Sequence, residues 1–456
     1  MRMLQSYSSN MQKVVVLVSN DIHGDSRVQK IIETFVRANF DTYAIARKTK
    51  RQGIAIEGAS ITQVSLEKAQ LERVGLTFNR DGSYRHREFA KRVGKNLRTS
   101  RQKHGISAKI LIRYVVHFLR YSLGFIRGFK DDQKQPLTQS LSVDRLHNIE
   151  YAFTAELKAI APEIIYANDY DTLGAAVLYA DSTALRPVII YDSHEYISGV
   201  KRGSGDEILV ATQYQAKFIS KIDGLVSVSH EVVNKIIEDY ELNLPNVVIL
   251  NAPELRQYEC LSRTTIRDEL GLNKKPLHVY VGAIAPQRGI DTVIEALQYV
   301  QDHHLAVVCQ PDHPYIQTLR RIAKNCHVEN RVHFVDYVPA NYVSRYISDA
   351  TSGLIPILHY PNHEMQLITK YFEYLHARLP IVTSDVREMA RFTNVNGIGT
   401  VFEAENRVDC ARALEQVDAQ NENYRNRISN DLVEENSWEN QAEKLIIFIN
   451  MIRDAA

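Results

Sequence analysis

Short apolar runs rich in Val and Ile alternate along this chain with longer stretches in which apolar residues return roughly every 3.6 positions. These are the periods of strands and helices. Residues 13–19 (KVVVLVS) read as a strand, and 26–38 as a helix with Val28, Ile31, Ile32, Phe35 and Val36 on one side. Residues 42–46 and 61–65 look like further strands. The pattern then breaks. It resumes with a helix near 143–160 and strands at 163–166, 187–192, 224–229 and 247–250. The second half repeats the alternation, with strands at 277–282, 305–309, 332–335, 353–357, 380–384 and 399–402, and helices such as 290–299 and 341–347. Strand–helix alternation at this spacing predicts parallel sheets with helices on both faces.

The fold class expected is α/β, with two Rossmann-like domains facing across a cleft. Polar residues and a proline follow a strand at Asn251-Ala252-Pro253-Glu254, so the division falls there: an N-terminal domain over 1–254 and a C-terminal domain over 255–436. The terminal helix, 437–456, is expected to pack back on the first domain. A basic, amphipathic insertion over about 67–140 interrupts that domain. In open α/β sheets, ligands bind beyond the carboxyl ends of the strands. Neither GxGxxG nor GxxxxGK[ST] occurs, which argues against a dinucleotide enzyme and a P-loop NTPase.

Composition adds limits. The chain has 456 residues, 45% hydrophobic and 24% charged, with a net charge of +1. That balance has no nucleic-acid signature. The four cysteines lack CxxC spacing, which fits a reducing compartment and no structural zinc. No signal peptide and no spanning helix are read, so a cytoplasmic chain is expected. The near-neutral total hides a segregation: residues 80–130 hold 14 Lys or Arg against 2 Asp or Glu. Within it, 106–130 (ISAKILIRYVVHFLRYSLGFIRGFK) places Lys109, Arg113, Arg120 and Arg127 on one narrow helical stripe in an otherwise apolar surround. Such a helix suits an anionic membrane surface. A core helix with one exposed edge has the same pattern.

Candidate chemistry gathers at strand ends. In LITKYFEYLHARLPIVTSD (367–385) a loop over 358–366 leads to a helix starting near Leu367. The free amides of a helix start attract phosphate. Glu373, further along, could accept hydrogen bonds from a ribose diol, and Lys370 could support a phosphate or be a solvated charge. Arg288 stands at a helix entrance in GAIAPQRG (282–289), suited to bidentate phosphate recognition or to solvent. His194 follows a strand and faces the expected cleft, as a ligand contact or a structural histidine. Asp25 and Arg27 lie at the first loop and helix start; Asp25 is equally suited to an N-cap. Asp169-Tyr170-Asp171 has DxD spacing, but that metal motif belongs to a single-domain sheet (the GT-A fold) and is set aside. His194-Glu195 and His230-Glu231 lack the second histidine of HExxH. No metal is expected.

Several stretches, in order, resemble GT-B-fold glycosyltransferases similar to family 4. They are SNDIHGDSRVQK (19–30), PEIIYANDYDTLGAA (162–176), IIYDSHEY (189–196), VSVSHEVVNKI (226–236) and VILNAPE (248–254). The second half adds YVGAIAPQRGIDTVIEAL (280–297), RVHFVDYVP (331–339), KYFEYLHARLPIVTSD (370–385) and SWENQAEKL (437–445). If the 106–130 helix meets a membrane, the expected acceptor is lipid-linked or a growing surface glycan, and surface polysaccharide or glycoconjugate synthesis at the inner membrane face is the expected setting. The resemblance implies an enzyme moving a sugar from a nucleotide-sugar, such as a UDP- or GDP-sugar, to an acceptor. It implies retention of configuration without a metal or other cofactor. Arg288 would hold the diphosphate, the amides of Leu367, Ile368 and Thr369 would cap it, and Lys370 would back it. Glu373 would bind the ribose, Val338 would lie near the base, and His194 would contact the donor sugar. Asp25 and Arg27 would be on the acceptor side.

The sequence departs from the family in three places. A glutamate common eight positions before Glu373 is Met365, with Glu364 its neighbour. Ala283 stands where an arginine is frequent, and Gln310-Pro311-Asp312 replaces a glycine-rich turn. These departures leave the sugar open. They also keep two alternatives in view: a nucleotide-sugar epimerase of the same fold, and a non-catalytic GT-B module.

Overall fold

The computed structural model describes residues 11–51, 53–73, 143–200, 205–255, 264–272 and 274–455. The first sheet has seven strands: β1 (Lys13–Val18), β2 (Asp41–Arg47), β3 (Ala59–Val64), β4 (Ile164–Asn168), β5 (Val188–Ser193), β6 (Gly224–Ser227) and β7 (Asn246–Val248). Their order is β3-β2-β1-β4-β5-β6-β7, and every pairing is parallel. The second sheet holds β8 (Leu277–Val281), β9 (His304–Cys309), β10 (Val332–Asp336), β11 (Ser352–Ile355), β12 (Ile381–Ser384) and β13 (Gly399–Phe402), in the order β10-β9-β8-β11-β12-β13. It too is parallel. Strand order reverses between β1 and β4 in one sheet and between β8 and β11 in the other. A crevice opens at such reversals, beyond the carboxyl ends.

Both sheets are buried on two faces, which is why their strands are continuous apolar runs rather than alternating ones. Local chemistry sets the helix starts. Asp25 accepts from Val28 N at 3.1 Å to begin the helix Ser26–Arg37, and Ser229 does the same for Val232 N at 3.1 Å before His230–Asp239. The terminal helix Trp438–Ala455 lies against the first sheet. Trp438, Leu445, Phe448, Ile449 and Ile452 join the cluster built on β1 and the helix Ser26–Arg37. Trp438, 1% exposed, donates from Nε1 to Thr34 Oγ1 at 3.0 Å.

Three stretches differ from the sequence reading. The helix expected over 290–299 stops at Ala296. The loop expected over 358–366 contains a short helix, Pro361–Met365. It forms because Met365 buries its side chain in the core of the first domain, and Asn362 Oδ1 accepts from Tyr196 N at 3.1 Å. The helix expected near Leu367 begins at Thr369, since Ile368 is still extended at φ −81° and ψ 153°. The membrane contacts expected of Lys109, Arg113, Arg120 and Arg127 lie outside the described residues. Among those described, no helix is long and apolar enough to cross a membrane.

Four histidines cross the amino ends of β8, β9 and β10, away from the crevice. His278 places Nδ1 2.7 Å from Ser352 Oγ and Nε2 2.9 Å from His303 Nδ1. His304 Nδ1 lies 2.9 Å from His333 Nε2. Each pair stacks, with centroids 5.1 and 5.2 Å apart. Burial lowers the pKa of all four, His304 to about 4. A folded pKa below the usual histidine value of about 6.5 means that the unfolded chain takes up these protons first. Their contribution is present above about pH 6.5 and is lost as pH falls toward 4. Urea midpoints should therefore drop between about pH 6.5 and pH 4.5, and drop less in His304→Gln. An unchanged pH slope in that variant would remove the histidine ladder as the cause.

Candidate active site

One wall of the cleft begins at the end of β8. Gly282 turns the chain at φ 105°, and the loop after it closes on Gly289 at φ 64°. A Cβ at Gly289 would stand 1.8 Å from Pro356 O, so only glycine lets this loop lie against the exit of β11. The single turn Pro286–Arg288 then carries Arg288 to the cleft. Among the described residues, no carboxylate pairs with its guanidinium. Opposite stands the helix Thr369–His376, whose first turn no side chain caps. The amides of Leu367 and Ile368 precede this helix as extended chain, while Thr369 starts it.

Lys370 is buried, 9% exposed. Its Nζ donates to Tyr280 Oη at 2.9 Å and lies 4.1 Å from the centre of that ring. Burial and the charge of Arg288 lower its pKa to about 7, against Glu373, which raises it. Burial raises the carboxyl of Glu373, opposed by Lys370 and by Lys30 of the facing domain. These two residues of the LITKYFEYL stretch are thus not solvated surface charges. Both line the cleft.

The facing wall is built at the ends of β4 and β5. Asp192 is fully buried and takes a bidentate pair from Arg27, Nη2 to Oδ1 at 2.8 Å and Nε to Oδ2 at 3.0 Å. Tyr166 Oη also donates to Oδ2, at 2.8 Å. The third arm of Arg27, Nη1, donates to Ile249 O at 2.7 Å. Arg27 borders the cleft, but it is 2% exposed and each arm of its guanidinium is bonded to the protein, which suits positioning Asp192 better than the acceptor contact expected of it. Asp25 caps its helix and accepts from Asn20 Nδ2 at 2.8 Å, yet still borders the cleft.

His194 stands between two carboxylates, with Nε2 3.4 Å from Asp192 Oδ2 and Nδ1 3.6 Å from Asp169 Oδ2. Burial opposes its charge, but Asp169 and Asp192 outweigh it and raise its pKa to about 9. Desolvation by the cleft walls pushes Asp169 up to about 6 against His194, although its side chain remains 43% exposed to the cleft. Asp169 sits at φ 59° and ψ 160°, a region nearly reserved for glycine. Holding another residue there costs about 1–3 kcal/mol. Its amide donates to Asp192 O at 2.9 Å, and Thr172 donates from N and Oγ1 to its carbonyl at 3.3 and 3.1 Å. Beside it, Asp171 accepts from Ser19 Oγ at 2.5 Å and from Arg145 Nη2 at 3.2 Å.

The cleft between these walls measures about 900 Å³ and brings together Asp25, Asp169, His194, Arg288, Lys370 and Glu373 with residues 367–369. Two expected residues are elsewhere. Glu364 is not among the lining residues: its carboxylate lies 2.5 Å from His359 Nδ1 and accepts from Arg387 N at 2.9 Å. Val338 packs on the core of the second sheet, away from the cleft lining. The sequence reading named Asp169 only in setting DxD aside, and passed over Tyr280 and Arg145. For Asp169 a usable signal was present: a carboxylate directly after β4, in the same position relative to its strand as His194 has to β5.

Comparisons with known proteins match the second domain to a family and the whole chain to a fold. The family described as glycosyl transferases group 1 matches residues 262–434. No curated protein sequence matches the chain. Among solved structures, a sucrose-phosphate synthase from Thermosynechococcus elongatus is similar at TM-score 0.67 and 13% identity, covering 98% of this chain and 100% of that one. The lipopolysaccharide outer core galactosyltransferase WaaB follows at TM-score 0.58 and 14% identity, covering 97% and 99%. HepE of Anabaena, solved with UDP, is similar at TM-score 0.60 and 13% identity, covering 97% and 100%. The chain has the two-sheet GT-B fold of these structures, and its residues 262–434 match the glycosyl transferases group 1 family.

Proposed function

We propose that this enzyme moves a sugar from a UDP- or GDP-sugar to a glycan or lipid-linked acceptor. One observation carries the reading. Arg288 and Lys370, neither paired with a carboxylate among the described residues, converge at the uncapped amino end of Thr369–His376. A buried lysine, a half-buried arginine and free amides in one place suit a diphosphate. HepE has also been solved with UDP-glucose, which supports a nucleotide-sugar in this fold. Glu373 would accept from a ribose diol, and His194 would donate to a hydroxyl of the donor sugar.

In the reaction, the bond between the anomeric carbon and the diphosphate breaks, and its electron pair passes to the phosphate oxygen. The acceptor hydroxyl forms the new bond, and its proton leaves toward the departing diphosphate or solvent. Arg288, Lys370 and the helix amides stabilise the charge that grows on the leaving group. A preorganised donor of this kind is worth roughly 3–4 kcal/mol. With that charge met by protein groups, transfer is expected to need no metal. Retention of configuration is expected from the family resemblance, and NMR of the first-formed anomer tests it. Incubation with UDP- and GDP-sugars should release the nucleoside diphosphate; silence with every donor and acceptor would sink the proposal.

Arg288→Ala should lower turnover more than donor affinity, since the charge it meets grows toward the transition state. A loss of about 100-fold in kcat is the expected scale. Wild-type turnover would place Arg288 outside the reaction. The imidazolium of His194 should be lost as pH rises through about 9, giving an alkaline limb in kcat. Asp169→Asn removes a carboxylate that favours this charge, so the limb should move to lower pH. A limb that stays in place in this variant would separate Asp169 from His194.

The acceptor class rests on the basic, apolar sequence 106–130, which lies outside the described residues. If it meets an anionic membrane surface, the protein should sediment with anionic vesicles and not with neutral ones. Glutamate at Arg113, Arg120 and Arg127 should abolish that. Equal sedimentation with both vesicle types would defeat the electrostatic reading.

A further inference from the structure

The acceptor for the ammonium of Lys370 is a neutral phenol rather than a carboxylate. Tyr280 is fully buried in β8 and donates its own hydroxyl proton to Ala283 O at 2.6 Å. It therefore joins Lys370 to the bend of the loop that leads to Arg288. The ammonium lies against that bend: a Cβ on Gly282 would stand 3.6 Å from Nζ. The groups facing Lys370 are few. Tyr280 comes from β8, Arg288 from the turn Pro286–Arg288, and Glu373 from its own helix. Across the cleft, Lys30 acts on Glu373 and competes for its charge. A buried amine with a neutral partner on one side and a guanidinium on the other is held partly uncharged near neutral pH.

We propose that a nucleotide-sugar binds here together with a proton, which Lys370 takes up from solvent, and that Tyr280 is the positioning residue that keeps Lys370 aimed at the phosphate loop. The inference rests on the donor reading above and adds a linkage to it. The neutral amine gains the proton on its nitrogen lone pair, and no bond in the donor changes. A diphosphate diester has no proton of its own to give near pH 7, so the uptake belongs to the protein. Donor affinity is then full below the pKa of the empty site, about 7, and weakens by up to about tenfold per unit above it. The same proton returns to solvent when the nucleoside diphosphate leaves.

Calorimetry of the full chain with UDP-glucose and then GDP-mannose tests this, in two buffers of unlike ionisation heat from about pH 6 to about pH 8.5. The buffer-dependent heat should be near zero at the acid end and approach one proton taken up at the alkaline end. Lys370→Arg, permanently charged, should remove the uptake, and Lys30→Met should retain it. Tyr280→Phe should move the onset of uptake to lower pH and weaken donor binding at the alkaline end by about tenfold, the linkage expected for a pKa lowered by one unit. Failure of both nucleotide-sugars to bind would defeat the donor reading itself. Binding without buffer dependence, or uptake that survives Lys370→Arg, would overturn the proton linkage and leave the donor reading standing. An unmoved profile in Tyr280→Phe would remove Tyr280 from the role.

Discussion

The buried pair between Arg27 and Asp192 is the constraint on which the cleft is built. Asp192 ends β5, Arg27 opens the helix after β1, Tyr166 donates from β4, and the remaining guanidinium arm holds Ile249 after β7. One carboxylate thus joins the central strands to the start of the connection between domains. Its pKa falls far below the carboxylate range: burial would raise it, but Arg27 and His194 outweigh burial. A buried ion pair gains little net stability over well-packed apolar groups, yet loss of one partner leaves a charge stranded at a cost of about 3–5 kcal/mol. What this pair supplies is position. His194 comes next but one in the chain, and the carboxylate that anchors Arg27 also favours its imidazolium.

The two walls have opposite electrostatic problems. On the wall of the second domain, burial and the nearby charge of Arg288 hold Lys370 below its ordinary range. On the facing side, carboxylates are crowded, and Asp169 is pushed up while His194 is held charged. The proposed diphosphate would relieve the first wall, and the proposed sugar between the walls would accept from His194. The strained backbone of Asp169 belongs to the same economy: the fold tolerates that conformation because Thr172 and Asp192 fix both of its peptide groups.

Much of the architecture was legible because both sheets are buried on two faces. The apolar runs of β1, β5 and β12 end where polar residues begin, so their limits fell within a residue or two of those observed. The positions of His194, Arg288, Lys370 and Glu373 followed, since each lies just beyond or after a readable strand. Legibility failed where the deciding partner was remote. Arg27 looked available because Asp192 is 165 residues away. The helix Pro361–Met365 looked like a loop because Met365 packs on the other domain. Glu364 looked able to replace its neighbour, but His359 and Arg387 hold it outside the cleft lining. Asp169 offered its place directly after β4, but its strained backbone at φ 59° leaves no trace in residue type.

The cleft is also tied together by bonds that link the start of Thr369–His376 to the facing domain. Lys30, on the helix Ser26–Arg37, donates to Asn251 Oδ1 at 2.9 Å and to Ala252 O at 2.5 Å, and lies 4.7 Å over the ring of Trp438. Asn251 in turn donates from Nδ2 to Thr369 Oγ1 at 3.2 Å, the first residue of the donor-side helix. A group that docks at that helix start therefore meets a side chain already fastened to the connection between domains. Lys30 also favours the charged form of Glu373, so this carboxylate of the second domain depends on a cation supplied by the first. The wall that holds Glu373 is consequently not a property of the second domain alone. Its electrostatics are completed only when the first domain is in place, which is a physical reason for the two sheets to share one chain.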